Sequence, residues 1–353
     1  MKKTTTAGAI LLMTTTIVTA GGIDRSGQGI GVIFEDGDYA ELNFGSVMPD
    51  VSGTGPNNNN PVDGTTGSGN VTPDYSQLGM AYKSQVNEQV SIAVIYDQPF
   101  GADVDYDTGS TYLLGTTNAQ VESDGVTAVV RYEINPSFSV HGGLRYVQAN
   151  GVYDVTFPGA YTSTYSKDGG VGYVVGGAYE RDDIAMRIAL TYSSEIALEL
   201  DGTNGDLSTT LPESINLDFQ TGIAADTLLF GSMRYVAWDG FALYDTALAS
   251  NILSYDDDVY TYNIGVGRRL SDSFAVSFSV GYEKTTGEET GNLGPTDGFI
   301  SYQVGGAYTM DSGIEVSGGV RYVNIGDATT ELISSDFSDN DAVAVGLKLA
   351  YNF

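Results

Sequence analysis

Three arginines recur in one short phrase. Gly142-Gly143-Leu144-Arg145-Tyr146-Val147, Gly231-Ser232-Met233-Arg234-Tyr235-Val236 and Gly318-Gly319-Val320-Arg321-Tyr322-Val323 share glycine, arginine and tyrosine in register, and Arg131 offers a fourth guanidinium nearby. A guanidinium is a planar fork that grips a carboxylate through two hydrogen bonds. Four of them facing one space could bind an anionic ligand, or could brace an interior by pairing with carboxylates such as Glu315. The rest of the chemistry is thin. The one histidine, His141, has no serine-histidine or paired-carboxylate signature around it and reads as a satisfied interior residue. Asp103-Val104-Asp105-Tyr106-Asp107 has calcium-like spacing, but Thr108 and Leu114 stand where an EF-hand loop has glycine and glutamate. Asp256-Asp257-Asp258 reads as a solvated loop, with weak divalent-ion bridging to anionic outer-leaflet lipid as its only other use. Gly27-x-Gly29-x-Gly31 lacks the preceding strand, following helix and later lysine of a phosphate loop. With no cysteine there is no thiol chemistry. The expectation is a chain without catalytic residues, metal or cofactor, and not an enzyme.

The elements that position these residues are strands. In the last eleven residues Val343, Val345, Leu347, Leu349, Tyr351 and Phe353 alternate with Ala344, Gly346, Lys348, Ala350 and Asn352, a strand with one oily face. About fourteen such segments run through the chain, at 39 to 50, 74 to 84, 88 to 97, 119 to 134, 138 to 156, 168 to 181, 184 to 200, 212 to 226, 228 to 238, 258 to 270, 273 to 287, 297 to 310, 313 to 329 and 339 to 353. Short turns at Asn87-Glu88, Asn135-Pro136, Asp182-Asp183, Asp226-Thr227, Ser271-Asp272 and Asp311-Ser312 alternate with longer connections at 51 to 73, 98 to 118, 157 to 167, 201 to 211 and 239 to 257. Even strand number and short-long alternation are the signature of an all-β, transmembrane antiparallel β-barrel. Parity then sets Arg145, Arg234, Arg321 and His141 inside and the phrase tyrosines on the lipid face, where a ring with a polar tip suits the interface.

The ends and the charge place the barrel. Lys2 and Lys3, an apolar stretch from Ala7 to Val18 and Val18-Thr19-Ala20 read as a signal peptide at 1–20, cut before Gly21. That stretch is too short to span a bilayer as a helix. A formal charge of −30 opposes nucleic-acid binding, which needs basic patches. A terminal strand with outward Tyr351 and Phe353 looks like the signal read by the outer-membrane barrel assembly machinery. The location expected is the outer membrane of a Gram-negative bacterium, with a monomer contacting outer-membrane lipid.

A leader, a glycine-bearing segment (Gly27, Gly29, Gly31, then Ile33-Phe34-Glu35-Asp36-Gly37), fourteen strands and a terminal phenylalanine together resemble the family of outer-membrane long-chain fatty-acid transporters. The resemblance covers the chain after the leader, although the family's Asn-Pro-Ala hatch motif is missing. It implies that residues 21–38, including Phe34, Glu35 and Asp36, form a hatch or plug inside a barrel of 39–353. It also implies a kink in the third strand that opens a lateral exit. Ile95-Tyr96-Asp97-Gln98-Pro99-Phe100-Gly101-Ala102 resembles that kink: proline cannot donate to the ladder and glycine weakens it, so pairing should fail at Pro99, Phe100 and Gly101. The same residues could simply begin the next loop. The implied function is passive transport of long-chain fatty acids or similar hydrophobic molecules with lateral release. The alternatives are a general diffusion porin and a structural or adhesive barrel.

Overall fold

The computed structural model describes residues 23–59, 64–106 and 110–353; the expected leader at 1 to 20, and Asp107 of the acidic run, lie outside the described residues. Fourteen antiparallel staves close into one barrel. They are β1 (Tyr39–Asp50), β2 (Tyr75–Gln85), β3 (Val90–Asp97), β4 (Asn118–Asn135), β5 (Phe138–Val155), β6 (Tyr161–Arg181) and β7 (Met186–Ser193). Then come β8 (Ser214–Ala224), β9 (Thr227–Val236), β10 (Val259–Arg269), β11 (Phe274–Glu283), β12 (Phe299–Thr309), β13 (Ile314–Ile325) and β14 (Asp341–Asn352). Each pairs with its chain neighbours, and β1 meets β14 from Tyr39↔Asn352 to Asp50↔Asp341, which closes the sheet and satisfies the backbone of both ends.

Alternation along each strand has the expected sense. On β14, Val345 and Leu347 are 44% and 48% exposed on the outer face while Ala344 is fully buried. Tyrosines mark two levels of that face: Tyr308 and Tyr302 on β12 are six positions apart, roughly 20 Å along a strand. The short turns share one rim. Asn135 Oδ1 accepts the Ser137 and Phe138 amides at 2.9 and 3.1 Å, and Asn87 Oδ1 accepts those of Gln89 and Val90, so these turns satisfy their own backbone.

At the other rim the connections carry structure of their own, and two boundaries need correction. β6 begins at Tyr161, inside the expected loop 157 to 167, because Tyr161 to Tyr165 ladder onto β5; a cross-strand partner overrides a turn-like composition. The expected strand 184 to 200 is two strands: β7 ends at Ser193, and Ile196–Leu200 leaves the barrel to pair with Leu207–Leu211. Ile196, Leu198 and Leu200 still alternate with exposed residues, since period 2 reports one buried face and not which sheet owns it. With Ala242–Asp245 and Ser250–Ser254 these form one four-stranded cap, and Gly53–Gly55, Thr66–Gly67, Ala328–Thr329 and Asp336–Phe337 form another. Asp245 ties the first cap down, accepting the Tyr161 and Tyr165 hydroxyls at 2.7 and 2.6 Å.

Candidate functional site

Residues 23–38 run inside the barrel, held by the arginines that parity placed there. Arg234 Nε reaches Asp24 Oδ2 at 2.5 Å with both side chains under a tenth exposed, and Arg145 donates to Gln28 Oε1 and to the Gln28 carbonyl. Asn216 holds the Gly27 carbonyl at 2.9 Å. Lower down, Gly31–Phe34 make one tight turn. The Phe34 ring lies between the Arg131 and Arg187 guanidinia, 5.0 and 4.8 Å from its centre, and meets His141 edge-on. Burial pushes the neighbouring Glu35 carboxyl above the ordinary range, and the Lys348 and Arg187 charges oppose this. The Asp36 carbonyl accepts Asn352 Nδ2 at 2.9 Å, next to the start of β1.

The arginines are thus engaged by protein groups. Arg131 pairs with Glu180 and Glu133, and Arg321 donates twice to Gln303 Oε1 at 3.0 and 2.7 Å. Among the described residues no ion pair joins Glu315 to any of them, which corrects the expected pairing: Glu315 lies at the lower rim, beside Ala350 of β14 and well below Arg321.

The third stave is broken. β3 pairs with β2 as far as Tyr96↔Met80 and stops at Asp97, and its line resumes as Gly101–Asp105, which pairs with β4 but not with β2. The residues between turn inward onto residues 23–38. Pro99 offers its carbonyl to the Arg25 amide at 2.8 Å, Gly101 donates to the Ile23 carbonyl at 2.8 Å, and Phe100 exchanges bonds with the Ser123 hydroxyl. Proline suits this position because it has no N–H to lose. Glycine at 101 leaves room for the Arg25 guanidinium, since a Cβ there would sit 2.8 Å from Arg25 Nε and push that side chain aside. Gly125 of β4 makes room from the other side; a Cβ there would lie 2.7 Å from Asp97 Oδ1.

Above β2's last pair, a pocket of about 90 Å³ lies in the wall. Ser26 and Gly29 line its inner mouth, Phe44, Leu78 and Met80 its lipid side, and Asp97 and Gln98 its edge. The expected gap residues Pro99, Phe100 and Gly101 do not line it; they lie in the inward bend next to it. Phe100 instead faces an apolar cavity of about 50 Å³ whose lining, from Ile23 and Val121 to Leu198 and Leu253, contains no charged side chain. That cavity shares Ile23, Tyr153 and Leu293 with a wide outer vestibule of about 820 Å³. Among the described residues seven carboxylates line the vestibule, including Asp256, Glu288 and Glu331, against the single cation Lys284. Trp238 and Tyr255 line it; Trp238 meets Phe241, Tyr255 and Phe100 edge-on, the last at 6.1 Å, while Phe241 and Tyr255 stack on each other.

Sequence reading placed Gln98 in the kink segment without a role of its own, and missed Ser123, Gly125 and Arg25. Gly125 carried a signal, a glycine in mid-strand marking a close backbone approach; Arg25, the one cation between 21 and 38, carried another. Ser123 carried none.

No curated protein matches the chain. Solved structures share its fold: a Pseudomonas aeruginosa FadL homologue at 15% identity, 91% of each chain and TM-score 0.74; the Pseudomonas putida toluene transporter TodX at 11% identity, 96% of each chain and TM-score 0.68; and the Ralstonia pickettii toluene transporter TbuX at 14% identity, 91% and 90% covered, TM-score 0.63. Residues 33–353 match the outer membrane protein transport protein family (OMPP1/FadL/TodX). The chain belongs to that family, and is an outer-membrane transport barrel for hydrophobic compounds rather than an enzyme.

Proposed function

We propose that this barrel takes up small neutral hydrophobic molecules passively, from the vestibule through the apolar cavity and sideways into the membrane through the opening beside Gln98. The observation that carries this reading is the cavity, set between the vestibule and the bend at Phe100 and lined without a single charge. An ionised fatty acid would have to pass the acidic vestibule, where seven carboxylates face Lys284 alone, and a carboxylate carried into the cavity would meet a lining without charge, which is costly. The arginines that could have met it hold residues 23–38 and the wall instead. A neutral ligand meets no such cost, and gains roughly 25 cal/mol for each Å² of apolar surface it hides. The ligand class thus shifts from the long-chain fatty acids first expected towards compounds such as toluene, the cargo named for the structural neighbours TodX and TbuX. Residues 23–38 act as the hatch that blocks the straight route, and Tyr351 and Phe353, stacked 5.4 Å apart on the outer face, act as the assembly signal.

The test compares toluene with benzoate, one ring with and without a charge, for binding to purified protein at neutral pH. Toluene should bind and benzoate should not; tighter binding of benzoate overturns the assignment. Planar bilayers should record near silence, and large steady conductance steps would establish a porin instead.

A further inference from the structure

We propose that Gln98 is the latch of the wall opening: the hydrogen bond of its side chain to β2 holds the gap shut at rest, and the release of that bond sets the rate of ligand exit. The proposal rests on the lateral route argued above. Above the Tyr96↔Met80 pair, the edge of β2 from Tyr75 to Gly79 has no strand beside it on the β3 side. Leu78 nevertheless keeps a partner. Its amide donates to Gln98 Oε1 at 2.9 Å, so a side-chain carbonyl stands where a continuous β3 would have presented a main-chain one. The bond is matched by a second, from Gln77 Nε2 to the Gln98 carbonyl at 3.2 Å.

This substitution changes the dynamics of the wall. Breaking a ladder requires a strand to peel away in a collective motion of microseconds or longer, whereas a side chain swings on its own torsions in about nanoseconds. The bond also favours closure, because without it the Leu78 amide has lost its acceptor at an edge where no strand supplies another. The pivot is firm. Asp97, the residue before Gln98, accepts the Ser26 hydroxyl at 2.6 Å, which ties the base of the latch to the inner mouth of the opening. The latch therefore moves while its backbone stays in place, and the opening can pass a ligand without unpairing β2 from β1.

The experiment measures uptake of ring-labelled toluene by intact cells carrying wild type, Gln98→Ala, Gln98→Leu, or Gln77→Cys with Gln98→Cys. The native chain has no cysteine, so the introduced pair is the only one. It is joined by a short thiol-reactive cross-linker that a reductant cleaves, and the join is verified by mass. Leucine keeps bulk and loses the acceptor; alanine loses both. The latch predicts maximal uptake rates roughly threefold to tenfold higher in Ala and Leu alike, the effect of one net hydrogen bond. Half-saturation and toluene affinity of the purified proteins should stay unchanged, and the cross-linked pair should be silent until reduced. A faster Ala with Leu at the wild-type rate means that bulk alone fills the gap, and overturns the latch. Wild-type rates in both, with the cross-linked pair blocked, overturn the latch and leave the lateral route standing. Undiminished uptake in the cross-linked pair overturns both.

Discussion

Removing the Asp24 carboxylate should free residues 23–38 from the wall without opening the barrel. Arg234 and Asp24 are 8% and 4% exposed as side chains, and they meet through Nε and Oδ2. Asp24→Ala leaves a buried guanidinium with only Ser214 and Asn216 as neutral acceptors. Breaking one partner of a buried pair costs about 3 to 5 kcal/mol, and the two remaining acceptors point to the lower end. At about 1.4 kcal/mol per factor of ten, 3 kcal/mol raises the population of the detached segment roughly a hundredfold or more. The readout is hydrogen exchange at the Arg25 and Gly101 amides, which are protected only while Ile23 to Arg25 lie against Pro99 to Gly101. Strand amides on β12 and β13 should not change. The double variant Asp24→Ala with Arg234→Met should lose less than the sum of the single losses, because no charge is then left unpaired. Exchange accelerated by less than tenfold in Asp24→Ala, or additive losses in the double variant, would refute the claim that this pair anchors the segment.

Other outcomes are checked more simply. Val345→Arg on the lipid face should cost roughly 2 to 4 kcal/mol in folding into vesicles, while Ala344→Gln, which controls for crowding of the lumen, should cost less; equal losses would reverse the parity of β14. Burial alone would raise the Asp245 carboxyl, but the donors Tyr165, Leu248 N, Tyr161 and Ala247 N outweigh it and hold it below the usual range. Its contribution is therefore complete above the unfolded value of about 3.9 and lost as pH falls through the lower folded value, so proteolysis of the outer cap should start only in strong acid and the acid step should vanish in Asp245→Asn. Deleting Phe353 should leave chains in the periplasm while any barrel that does assemble keeps its thermal stability; normal surface levels would count against the signal.

Strand number, strand facing and the inward position of the arginines were legible in the sequence because each rests on a period of two read over ten residues. Val345 and Arg321 take their sides from local geometry, whichever strand lies next to them. Sites built by contacts far apart in sequence were not legible. Arg234 could have met Glu315, a ligand or Asp24 by the same alternation, and only the path of residues 23–38 through the lumen decided for Asp24. Ile196–Leu200 reads as barrel strand because one buried face looks alike in any sheet, and its partner Leu207–Leu211 is a tertiary choice. Pro99 and Gly101 announced that pairing would fail, but whether the chain bent inward or began a loop depended on Arg25, Ser123 and Gly125 being there to receive it. The opening appears at Gln98, beside the bend rather than in it, because a ladder is lost where the partner edge is left behind, and that edge belongs to β2.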